Sequence, residues 1–123
     1  MQPVLRVLAM PADANASGTM FGGWIMSQMD IAGGIAACGY ARARTATVAV
    51  KDLRFLASVN VGEVLVIRAL IERAGSTSVT VKIEAKTADR TAPEKAEKPV
   101  AAGTFIYVAL DEEGGKMKLS AAE

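Results

Sequence analysis

The chain has 123 residues, 51% of them apolar, with 14 basic and 13 acidic side chains that nearly cancel. That is enough for one domain with a modest core, and it offers no bulk charge to hold nucleic acid or an anionic membrane. Histidine is absent and Cys38 is the only cysteine, which excludes Ser–His–Asp catalysis, Cys–His catalysis and an internal disulfide, and gives no reason to expect a metal or a cofactor.

Residues 4–10 form a short apolar run closed by Pro11 and read as a first strand. No charged segment followed by a long apolar run opens the chain, so no signal peptide is expected, and a reducing, cytoplasmic setting suits the lone cysteine. Residues 11–19 carry Ala, Asp, Asn, Ser and Gly, which is loop chemistry.

A helix is expected over Gly22–Ala41, roughly 30 Å long at 1.5 Å per residue. Trp24, Ile25, Met26, Met29, Ile31, Ile35 and Cys38 make it apolar on nearly every side, so something must wrap it. Ser27, Gln28 and Asp30 at its centre argue against a membrane span. Asp30 is its one charge between Met20 and Tyr40, and no cation lies one turn away. Gly33 and Gly34 leave a gap beside that carboxylate. Asp30 therefore has two readings, a ligand-site acid or an acid on a narrow solvated stripe. Arg42 and Arg44 suit the negative end of the helix dipole.

After the helix the apolar period becomes 2. Residues 45–59 read as a long strand that changes phase, which a bulge near Lys51 and Asp52 would produce. Residues 63–73 and Ser78–Ala88 form the clearest hairpin, with Leu65, Ile67, Ala69 and Ile71 facing Val79, Val81, Ile83 and Ala85. Residues 89–98 are charged and lack a period, so a mobile loop is expected. The last strand is 100–110, and 111–123 is a polar tail with little to anchor it. One long helix and about five antiparallel strands give a single α+β domain with the sheet curled round the helix, and a second copy would cover the helix flank left bare.

The ordered set Asn15-x-x-Gly18-x-x-Phe21-Gly22-Gly23, then Met26-Ser-Gln-Met-Asp30, resembles the hot-dog-fold acyl-CoA thioesterases, the bacterial YciA-type acyl-CoA hydrolases among them. Phe55, Val61-Gly62-Glu63 and Gly75-Ser-Thr-Ser78 extend the resemblance over about residues 4–111. It implies a helix wrapped by a sheet and a homodimer joined edge to edge that assembles further into tetramers or hexamers. It also implies acyl-CoA as substrate and CoA as product. Carried over by position, Asp30 matches the catalytic helix carboxylate and Asn15 a loop asparagine that is catalytic in some relatives, while Gly22 and Gly23 match the glycines that open the helix. Several relatives have an acid where this chain has Thr19, and some have a histidine near Tyr40-Ala-Arg42. Those departures leave substrate preference and regulation open.

Thioester hydrolysis needs a carboxylate to activate water or to attack, and donors for the developing oxyanion. Asp30 can do the first, and the backbone N–H groups of Gly22 and Gly23 the second, although helix capping also explains a glycine there. Asn15 either orients water, polarises the carbonyl, or makes a local turn. Phe21, Met26, Phe55, Thr77 and Ser78 are assigned to substrate binding: Met26, with Trp24 and Met29, lines an acyl tunnel or packs the core, and Thr77 and Ser78 meet the pantetheine arm or are ordinary β formers at the hairpin. Basic residues of 90–98 reach phosphates or are merely solvated. The competing functions are a non-catalytic acyl-CoA sensor, which would need an output domain, and an acyl-carrier dehydratase, which would need a histidine.

Overall fold

A computed structural model of the chain describes residues 2–119. The elements run β1 (Pro3–Leu8), a 3-10 turn (Pro11–Asp13), α1 (Gly22–Ala41), β2 (Arg44–Phe55), β3 (Val64–Ala74), β4 (Ser78–Ala88) and β5 (Lys98–Leu110). The sheet is antiparallel throughout, in the order β1-β3-β4-β5-β2, so β1 and β2 are its edges. α1 touches all five strands. The expected α+β architecture and the bounds of the helix both hold.

α1 buries Ile25, Met29, Ala32, Gly33, Ala37 and Ala41. Those positions recur at helical spacing and form one face. Opposite them lie the inward positions of the strands, Leu65, Ile67, Val79, Val81, Ile83, Ala85, Phe105 and Tyr107. Small residues at 32, 33 and 37 let the helix axis sink close to the sheet. The other flank is equally apolar but bare: Ile31 and Ile35 are half exposed, as are Val48 and Val50 on the edge strand β2. An all-apolar helix thus meets its own sheet on one side only.

The phase change in β2 comes from two register shifts, one between Thr47 and Ala49 and one between Lys51 and Arg54. At the second, Asp52 takes a left-handed φ of 53°. The bulge drives Leu53 onto β5 at Gly103, where a Cβ would lie 3.2 Å from the Leu53 Cα. Only glycine leaves that approach relaxed.

Four expectations change. β2 ends at Phe55 rather than residue 59, because Val59 turns back to accept a hydrogen bond from the Met20 N–H at 2.8 Å. Arg42 caps α1 with its backbone, not its charge: its φ is 55° and its N–H bonds Cys38 O. Arg44 instead donates to Asp111 O at 2.7 Å. The charged loop 89–98 is braced by an Asp89–Thr91 turn and by the Arg68–Glu97 pair at 2.7 Å. The start of the tail is held too, with Met117 N–H on Ala109 O and Leu119 N–H on Ser76 O. Residues 120–123 of the expected tail lie outside the described ones.

Candidate active site

Asp30 sits half-buried in the middle of α1, one turn beyond Met26. Among the described residues no lysine or arginine pairs with it. Two hydroxyls take that role. Thr47 of β2 donates to Oδ1 at 2.6 Å, and Tyr107 of β5 donates to the same oxygen at 3.1 Å and to the Asp30 carbonyl at 2.9 Å. No hydrogen bond from a described residue reaches Oδ2. Burial, and then the negative charge of Asp30, push the Tyr107 hydroxyl well above the ordinary phenol range, so it stays a donor at any working pH.

The gap expected beside Asp30 is real but already filled. A Cβ on Gly33 would overlap the Tyr107 hydroxyl and Ile83 Cδ1. Gly33 costs the helix roughly 1 kcal/mol relative to alanine, and the space goes to Tyr107, not to a ligand. Cys38 lies 3.3 Å from the Thr45 hydroxyl, packed rather than poised as a nucleophile.

The start of α1 is built differently. Phe21 is the N-cap residue and its side chain makes no capping bond. Trp24 and Ile25 N–H groups return to Phe21 O at 3.0 and 3.2 Å, while those of Gly22 and Gly23 find no partner among the described residues. A Cβ at Gly22 would rest 3.4 Å from the Phe55 ring, and Gly23 faces open space. Phe21, Phe55 and Leu56 are each more than half exposed, and Met26 continues the apolar surface toward Asp30. The chain therefore brings Gly22 and Phe55 into one exposed patch with free N–H donors at its centre. Of the other tunnel candidates, Met29 is fully buried core and Trp24 packs against the core.

Asn15 makes its own loop. Its Oδ1 accepts the N–H groups of Ser17 at 2.9 Å and Thr19 at 3.2 Å, and its Nδ2 donates to Thr19 Oγ1 at 2.9 Å. That uses both lone pairs and one amide hydrogen, leaving one hydrogen to point outward. None of these bonds goes to Asp30. Thr77 and Ser78 stand at the β3–β4 hairpin, where Thr77 O accepts from Ala109 N–H and Ser78 O from Gly75 N–H, and neither contacts Asp30 through a hydrogen bond. In the basic loop, Lys95 faces Asp89 and Lys98 faces Glu63. A separate groove of about 570 Å³ between Asp52, Arg54, Lys82 and Glu84 contains none of these residues.

The sequence reading missed Thr47 and Tyr107. A threonine and a tyrosine in strands are ordinary β formers, and only the pairing Thr47↔Tyr107 across β2 and β5 sets both hydroxyls under the helix. The glycine pair at 33 and 34 was the one signal that something bulky approaches there.

Residues 17–94 match the family described as the thioesterase superfamily. An uncharacterized acyl-CoA thioester hydrolase of Buchnera aphidicola is 50% identical over 113 residues, spanning 90% of this chain and 83% of that protein. The acyl-CoA thioester hydrolase YciA of Escherichia coli K12 is 46% identical over 114 residues, 90% of this chain and 85% of its own. The hexameric thioesterase y2039 of Yersinia pestis superposes with a TM-score of 0.91 at 41% identity, covering 98% of this chain and 97% of that one. Among the described residues no helix is long and apolar enough to cross a membrane. A lone helix on a five-stranded sheet, a half-buried helix carboxylate and these likenesses agree: the chain belongs to the thioesterase superfamily, among the hot-dog-fold proteins of YciA type.

Proposed function

We propose that this chain hydrolyses acyl-CoA thioesters to a carboxylic acid and CoA, with Oδ2 of Asp30 as the reacting atom. The observation that carries it is the asymmetry of that carboxylate, whose Oδ1 takes two hydroxyl donors while Oδ2 takes none. The names of the relatives support the substrate class. As a base, Oδ2 takes a proton from water as the water oxygen bonds to the acyl carbon. The C–S bond then breaks, and the proton passes to the departing thiolate. As a nucleophile, Oδ2 bonds the acyl carbon itself and the C–S bond breaks to expel CoA thiolate. Water then cleaves the anhydride, which restores the Asp30 carboxylate, releases the acid and supplies the proton that the thiolate takes up. Either way the carbonyl oxygen gains charge, and the unpartnered N–H groups of Gly22 and Gly23 are suited to hold it.

Gly22 and Asp30 lie about 12 Å apart along one helix axis at 1.5 Å per residue. One thioester carbonyl is too small to bridge that distance. The helix start of one protomer therefore serves Asp30 of a second copy, and the resemblance to tandem hot-dog thioesterases, which take the asparagine and the aspartate from different domains, implies the same for Asn15. The bare α1 flank and the β2 edge are the surfaces such a homodimer would cover, and the Yersinia thioesterase is hexameric. Phe21, Met26 and Phe55 then wall the acyl chain, Thr77 and Ser78 meet the pantetheine arm, and the unpaired donor of Asn15 points at the carbonyl. A reducing, cytoplasmic setting suits the free Cys38.

Released thiol, measured across acyl-CoA chain lengths, tests the reading. Asp30→Asn should lower kcat by about 10²–10⁴-fold with ligand binding kept. A loss below about tenfold on that scale would make Asp30 structural. Binding of acyl-CoA without turnover by the native chain would favour the sensor instead.

A further inference from the structure

We infer that Tyr107, seated in the notch left by Gly33, is a positioning residue that clamps the Asp30 carboxylate and turns Oδ2 toward the substrate. The inference rests on Asp30 being the reacting carboxylate.

A buried phenol needs one acceptor, and the Asp30 carbonyl at 2.9 Å would suffice for the core. The hydroxyl does more. It reaches Oδ1 of the same residue at 3.1 Å, so one proton is shared between the backbone and side chain of Asp30. That three-centre bond fixes the rotation of the carboxylate relative to its own helix. Thr47 holds Oδ1 from the other side at 2.6 Å. With both donors on one oxygen, the second is left as the only free acceptor.

The clamp requires a glycine at position 33. A Cβ there would meet the Tyr107 hydroxyl, its Cζ and Ile83 Cδ1. The helix accepts its poorest residue short of proline at a fully packed position, and what fills the notch is the hydroxyl end of the ring. Tyr107 is 1% exposed and stacks on Phe105 with ring centroids 6.5 Å apart, so it has no freedom to swing away. The titratable groups that face it are Asp30 and Cys38, both on α1. β2 presents Thr47 and β4 presents the apolar Ile83. Burial keeps the phenol protonated, so it donates whatever the state of its neighbours.

The test is Tyr107→Phe, which keeps the ring and removes only the hydroxyl. We expect kcat to fall roughly tenfold, the scale of one hydrogen bond to a charged group, with KM unchanged. The acid limb of the kcat profile should move to higher pH, because a donor to the ionised carboxylate is gone. A purely structural tyrosine would lower thermal stability and leave the pH profile in place. Gly33→Ala should reduce kcat in the native background and much less in Tyr107→Phe, since both changes remove the same bond. A Tyr107→Phe enzyme with native kcat and profile, beside an inactive Asp30→Asn, overturns the clamp alone. An active Asp30→Asn overturns the role of Asp30 and the clamp with it.

Discussion

The middle of α1 and its first turn lie less than three helical turns apart, yet they are built on opposite rules. Around Asp30 the supporting hydroxyls of Thr47 and Tyr107 are both hydrogen-bonded, Tyr107 is buried, and Gly33 is there to let it in. Around Gly22 the helix N–H groups are uncapped, Phe21 and Phe55 stand in the open, and Gly23 borders empty space. The charge-bearing half of the site is complete inside one chain. The half that would meet the carbonyl and the acyl chain lacks a wall. A second copy laid along the β2 edge would supply it.

Complementation is the strongest way to break that comparison. Asn15→Ala and Asp30→Ala, each nearly inactive, are mixed after reversible dissociation. Random reassortment makes half the dimers hybrids, each with one intact site, so about a quarter of native activity should return. If both residues serve one chain, every site in a hybrid carries a lesion. No recovery, with hybrids confirmed by mass, would sink the shared site.

Next in size is loss of the assembly. Ile35 is 53% exposed on the bare flank of α1 and makes none of the contacts that hold Asp30 or fill the Gly33 notch. Ile35→Asp should lower the solution mass by sedimentation and abolish turnover while the far-UV spectrum stays native. An active monomer would show that the first turn needs no partner.

The two adjacent glycines sharpen the contrast within the complete half. At Gly33 an alanine overpacks the Tyr107 contact, a change that typically costs about 1–3 kcal/mol, or roughly 4–12 °C in Tm for a domain of this size. At Gly34 the added Cβ would lie 3.8 Å from Tyr107 Cε2, an ordinary contact. Gly34→Ala should therefore stabilise by up to about 1 kcal/mol through helix propensity alone. Equal effects at the two positions would mean that the notch is not specific.

The helix, the hairpin and the bulge at Asp52 were legible because each leaves a periodic trace: 3.6, 2, and a slip in 2. Asp30 stood out as a charge with no partner in its own helix. Its real partners come from residues 17 and 77 positions away, and no local pattern records that. The glycines at 33 and 34 showed that space was needed but not for whom. Likewise the composition of 89–98 signalled a loose loop, whereas the Glu97 side chain is tied to Arg68 on β3, 29 positions away and invisible from neighbours in sequence.

That ion pair provides the smallest effect, and one that should spare both halves of the site. Arg68 donates to Glu97 through two nitrogens, at 2.7 and 3.2 Å, with the side chains 19% and 25% exposed. The hydrogen bond from Arg68, against the opposing cost of burial, holds the Glu97 carboxyl below its ordinary range. A carboxylate lowered in the folded state contributes stability that is complete above its unfolded value and lost as pH falls through the folded one. Glu97→Gln should thus cost about 1 kcal/mol near neutral pH, the upper range for a surface pair. The cost should shrink as the medium is acidified below about pH 4, where the unfolded carboxylate is already protonated. Thermal melts of both proteins from pH 7 to pH 3 should converge at the acid end, with kcat equal at pH 7. A Tm gap that stays constant across that range would mean the glutamate acts through packing, and that the loop is held by shape rather than charge.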